Sequence, residues 1–168
     1  MPKYDYYKSL WIIKHYRGDK IIWGNAGFNS LTQEGEESLL ESFFRNDASY
    51  TPANFFIRLC NSIPLVTDTL ATIQKELPVV AGGYEPKLLE RSVVGFPNKT
   101  LTSNGNYRLV SKEILFEAIN TVIGPVTHAF MATSINNSGR LIAFRNLTLP
   151  RTVLIGDKLS IKIQIDLV

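Results

Sequence analysis

The sequence predicts a mainly β protein: an antiparallel β-sandwich or barrel-like domain with one α-helix, at about residues 32–46, and an extended N-terminal arm. Three observations predict it. Apolar and polar residues alternate with period two over several short segments, most cleanly in LSIKIQIDL near the C-terminus. Turn signals at Arg17-Gly18-Asp19, Asn136-Asn137-Ser138-Gly139 and Gly156-Asp157 separate those segments at the spacing of antiparallel sheets. One stretch alone, LTQEGEESLLESFF, combines helical spacing with a cap and an acidic first turn. The 168 residues suit a single domain with a sizeable core. The arm and first strand take residues 1–18, and the β-rich body takes 19–168.

In chain order, the aromatic-rich start MPKYDYYKSLW reads as an arm that enters a strand near Trp11. The triplet Arg17-Gly18-Asp19 is the tip of a hairpin, and KIIWGNAGF is its return strand. Thr32 then caps the helix. Glu34, Glu36 and Glu37 sit where the helix dipole favours acids, and Leu39, Leu40, Phe43 and Phe44 form one apolar face. Gly35 in the first turn weakens the helix by up to ~1 kcal/mol. In NFFIRLCNS, Phe55, Ile57 and Leu59 share one face, opposite Phe56, Arg58 and Cys60. SVVGF is a short apolar run ended by Pro97-Asn98. NYRLVS and EILFEAI read as strands, the second with Ile114, Phe116 and Ala118 on one side. VTHAFMATSI puts Val126, His128, Phe130 and Ala132 on one face, and RLIAFRNLTL is its hairpin partner. In the last strand Ile161, Ile163, Ile165 and Leu167 face in, while Lys162, Gln164 and Asp166 face out.

Composition narrows the function. The chain is 45% hydrophobic and 20% charged, with net charge +3 and a pI near 9.0. The basic residues are scattered, so no patch for nucleic acid is expected. No apolar run approaches the ~20 residues of a membrane span, and the N-terminus does not have the form of a signal peptide. Cys60 is the one cysteine, which excludes an intrachain disulfide. It sits among apolar neighbours with no adjacent base, as a structural thiol does.

The motifs of catalysis are missing. His15 and His128 are isolated, and no CxxC, HxH or HExxH could hold zinc. GxSxG, GxxxxGK[ST] and GxGxxG are absent, as is a calcium loop. The stretch DTLATIQKELPVVAGGY, residues 68–84, reads as architecture. Asp68-Thr69 caps a short turn whose buried side is Leu70 and Ile73, Pro78 stops it, and Gly82-Gly83 reverses the chain. The expectation is a protein that is not an enzyme, with no cofactor, no metal and no small-molecule substrate.

Three blocks in a particular order add to this: NSLTQEGEESLLESFF, then FFIRLCNSIPLVTDTLATIQKELPVVAGGYEPKLLER, then VSKEILFEAINTVIGPVTHAFMATSINNSGRLIAFRNLTLPRTVLIGDKLSIKIQIDL. Over about residues 27–168 the chain resembles a group of small structural proteins encoded by tailed bacteriophages. The resemblance implies a virion component without catalytic residues, assembled in the host cytoplasm. It implies a capsid decoration or cement protein, with a tail or baseplate part as the alternative. The implied partners are copies of itself, a trimer being one arrangement, and a major capsid or tail protein. The candidate interface residues are Tyr4, Tyr6, Tyr7 and Trp11, because Tyr and Trp bury much area at low entropy cost; covering the protein's own sheet is their other use. A receptor- or carbohydrate-binding module is a further alternative, with Trp23 and Tyr84 as its candidate aromatics.

Overall fold

The computed structural model describes residues 7–73 and 76–167. Its elements are β1 (Tyr7–Arg17), β2 (Lys20–Phe28), β3 (Ser30–Leu31), α1 (Gln33–Phe44), a 3-10 turn (Ala48–Tyr50), β4 (Asn54–Cys60), β5 (Lys87–Glu90), β6 (Asn98–Leu101), β7 (Tyr107–Val110), β8 (Ile114–Glu117), β9 (Ile123–Ala132), β10 (Leu141–Val153) and β11 (Asp157–Leu167). The protein is a β-sandwich of two antiparallel sheets carrying one α-helix. The first sheet runs β2-β1-β11-β7-β6, with β8 also paired to β11; the second runs β3-β10-β9-β4-β5.

β1 and β2 form the expected hairpin, and Gly18 takes the left-handed φ of +55° at its tip. β1 is a full member of the sheet from Tyr7 onward, each residue opposite one of β11 from Tyr7↔Leu167 to Arg17↔Asp157. The alternation read in LSIKIQIDL holds: Leu159, Ile161 and Ile163 are fully buried. They meet Trp11 and Ile13 from β1 and Phe116 from β8, across from Ile57 and Leu59 of β4 and Ala129 and Met131 of β9.

The second sheet is covered on both faces. Its inner face joins this core, while its outer face buries Cys60, Phe130, Ala132 and Leu141 under Leu70 and Ile73. Residues 68–73 therefore cover the outer face of the sheet. Thr69, not Asp68, caps their turn, accepting the Thr72 N–H at 3.2 Å, while Asp68 accepts from the Leu65 N–H at 2.8 Å. Gly82 has φ +71°, and its carbonyl accepts from the N–H groups of Ile119, Asn120 and Thr121 at 2.8–3.2 Å.

SVVGF, a short apolar run in the sequence, is a turn with Val93 and Val94 exposed. The structure corrects the face assigned to Val126. Val126 belongs to the inner core with Ala129 and Met131 rather than with Phe130. The pairing with β10 shifts between His128↔Asn146 and Val126↔Arg151, so strict alternation breaks there. Among the described residues eight strands follow the helix; β5 and β6 are four-residue strands without clear alternation.

The helix runs where the cap predicts. Thr32 Oγ1 accepts the Gly35 N–H at 3.0 Å. The buried side of α1 is not its apolar face, however. Its buried residues are Gly35 and Ser38. The Thr32 N–H donates to the Ile142 carbonyl at 3.0 Å, and the Thr32 hydroxyl donates to the Leu141 carbonyl. Glu34 accepts the backbone N–H groups of Leu141 at 2.6 Å and Leu70 at 2.9 Å. A side chain at position 35 would run into the Ile142 carbonyl oxygen.

A buried polar chain joins β1, β10 and β11. Arg151 Nε donates to His15 Nδ1 at 3.2 Å, so His15 Nε2 carries the proton and faces Asp157 Oδ2 at 3.2 Å. Arg17 adds a two-pronged contact to Asp157 at 3.1 and 3.0 Å. Burial, with Arg151 beside it, pushes the His15 pKa below the ordinary histidine value against the pull of Asp157. Hydrogen bonding from Arg17 holds the Asp157 carboxyl below its usual range.

Two predictions follow from these contacts. Gly35→Ala gains up to ~1 kcal/mol of helix propensity but overpacks the α1–β10 contact. Urea unfolding is expected to show a net loss of about 1–2 kcal/mol; a gain would mean that the helix does not bear on β10. Below about pH 6.5 the unfolded chain binds a proton that the folded His15 resists. Stability is thus whole above that value and falls as the pH drops through it, with a second loss from Asp157 beneath the usual carboxylate range. Urea midpoints between about pH 8 and pH 5 are expected to decline in the wild type and to flatten in His15→Gln.

Candidate functional site

With α1 held by its small polar side, its apolar residues face out. Leu39 is 44% exposed, Leu40 55%, Phe43 76% and Phe44 73%. The Phe43 and Phe44 rings pack edge to face at 5.0 Å, so the two project as one knob. Beside them, α1 roofs an apolar cavity of about 230 Å³ reaching down to Leu31, Phe55, Phe96, Met131 and Ile165. The cavity continues past Phe55, Phe96 and Ile165 into a shallower depression below Val93. Val93, 82% exposed, forms its far rim, and Val94, 57% exposed, follows it in the same turn. The whole is a groove between an apolar helix and an apolar turn, at an open end of the sandwich.

Charge around this groove is mixed. Arg45 pairs with Glu41 at 2.9 Å, and Arg140 reaches Glu37 at 3.4 Å while lying 3.8 Å over the Tyr50 ring. The Arg91 guanidinium at the groove mouth donates to the Pro52 carbonyl at 3.3 Å. Such exposed pairs contribute little to stability and leave the apolar residues as the main unsatisfied surface.

The acids and aromatics that could suggest chemistry are engaged elsewhere. Glu76 forms a buried ion pair with Arg58, whose Nε donates to it at 2.9 Å. Arg58 also reaches the Asn136 carbonyl at 3.1 Å and Asn137 Oδ1 at 3.1 Å, fixing the β9–β10 turn. Tyr84 donates to Glu76 and accepts the Leu59 N–H at 3.0 Å. Burial, then the neighbouring carboxylate, raises the Tyr84 pKa and keeps the phenol protonated. Among the described residues no group of three or more His, Cys, Asp or Glu could hold a metal ion.

Of the sequence-predicted interface residues, Trp11 alone has a described side chain. Tyr4 and Tyr6 lie outside the described residues, as does the side chain of Tyr7. Trp11 is fully buried in the core, its Nε1 donating to Ser9 Oγ at 3.1 Å, so it is corrected from interface to core. β1 enters the sheet at Tyr7 and turns Trp11 inward opposite Ile163. Tyr84 is likewise buried, and Trp23 is half-buried with Arg151 5.3 Å over its ring, so neither offers a free platform for a sugar. The surface that is exposed was present in the sequence as the apolar run of α1. Its outward direction was not readable there, because the anchors Thr32, Glu34 and Gly35 meet a strand distant in sequence.

No curated protein matches the sequence. The family model described as "Podophage GP4 fiber I protein gp80" matches residues 30–165, most of the chain, including α1, both rims of the groove and the entire second sheet. The match supports the tail-related alternative among the virion roles and lends nothing to capsid cementing. An exposed apolar groove on a sandwich whose buried polar groups serve its own fold suits a part built to be assembled, and the chain belongs to the family of the podophage GP4 fiber I protein gp80, structural proteins of the bacteriophage virion.

Proposed function

We propose that this protein is a non-catalytic building block of a tail-side fibre, held in the virion by burial of its α1 groove against a neighbouring protein. The observation that carries this reading is the outward-facing Leu39, Leu40, Phe43 and Phe44 on a helix locked to β10 by its other side. Monomeric proteins rarely leave a contiguous apolar patch of more than a few hundred Å² open to water, and such patches mark interaction sites. Burying this one is worth roughly 25 cal/mol per Å² before the cost of association is subtracted. The two buried polar networks support the same reading, since their groups are spent on holding turns rather than facing a substrate.

Purified phage particles labelled with antibody against this chain are expected to show it on fibres at the tail end. Labelling spread over the capsid shell, or absence of the chain from particles by mass spectrometry, would overturn the proposal.

A further inference from the structure

The groove has the form of a self-complementary surface. It presents a knob, the edge-to-face pair Phe43 and Phe44, at the rim of a cavity of about 230 Å³ that Phe43 itself lines together with Leu31, Phe55, Phe96 and Met131. When knob and hole lie on the same patch, a two-fold axis brings each knob over the other copy's hole, and one contact satisfies both. Were they on different faces, the contact would be head-to-tail and would propagate into rings or filaments. The area also fits. Leu39, Leu40, Phe43, Phe44, Val93 and Val94 together leave on the order of 600 Å² of apolar surface open. A stable interface buries about 800 Å² per partner, a little over half of it apolar.

Charge allows the same pairing. Glu36 on the exposed side of α1 makes no ion pair among the described residues, and neither does Arg91 at the groove mouth. A copy laid on this patch meets charges of both signs rather than a field of a single sign.

We infer that the α1 groove is the contact between two copies of this chain, related by a two-fold axis, with the Phe44 ring of each seated in the cavity of the other. This inference rests on the assembly reading above and names its partner. Without neighbours in the virion, the isolated protein forms a dimer by this contact.

Sedimentation equilibrium of the full chain over a micromolar dilution series tests it. The wild type is expected to fit a monomer–dimer equilibrium. Phe44→Ser is expected to weaken dimerisation at least tenfold, and the unfolding midpoint of the monomer is expected to stay unchanged because the ring is exposed. Leu101→Ser, which removes an exposed side chain on β6 away from the groove, is expected to leave the dimer intact. A monomeric wild type would overturn the inference, as would a trimer or open-ended polymer, or a dimer indifferent to Phe44→Ser. A monomer that is nonetheless found on fibres would sink the two-fold contact and leave the fibre role standing. A dimer missing from particles would do the reverse.

Discussion

The attachment of α1 to β10 governs the rest of the surface. It is made by polar groups: the Thr32 hydroxyl and the Glu34 carboxylate meet backbone groups of Leu141, Ile142 and Leu70. An unmet buried N–H costs roughly 1–3 kcal/mol. Rolling the helix to bury Phe43 and Phe44 would strand two such donors and lift Gly35 off the Ile142 carbonyl. The gain from burying the rings, about 1.5–3 kcal/mol each, would be offset by those losses and by the cavity opened under the helix. The fold therefore keeps its apolar helix face outside.

The polar interior follows a related logic. Arg58, Glu76 and Tyr84 lie under the loops at one end of the second sheet, while His15, Asp157, Arg17 and Arg151 cross between strands at another place. Buried ions add little net stability compared with apolar residues of the same shape, but breaking one partner leaves a costly remainder. Each network thus penalises any arrangement that displaces its loop. Arg58 ties β4 to the turn after β9, and Arg151 ties β10 to the hairpin of β1 and β2 through His15 and the Trp23 ring.

The second sheet explains why the long stretch after β4 exists. With Cys60, Phe130, Ala132 and Leu141 on its outer face, the sheet needs a cover there, and the stretch around Leu70 and Ile73 supplies it, while Leu77 and Tyr84 return to the inner core. Covering both faces is also why β9 carries apolar residues at successive positions, a pattern that buried strands share.

Much of this was determined by the chain read alone. The hairpin at Gly18-Asp19, the capped helix, the alternation of β8 and β11, and the structural use of residues 68–84 depend on neighbours in sequence, where spacing and turn chemistry act directly. The four-residue strands β5 and β6, the shift that moves Val126 inward and the turn at Val93 depend on which strands lie alongside. Only the tertiary structure decided that Trp11 is core, that Tyr84 is locked to Glu76, and that the apolar side of α1 looks outward. A periodic pattern records that a helix has an apolar face; the contacts from Thr32, Glu34 and Gly35 to strands more than a hundred residues away decide which way that face turns.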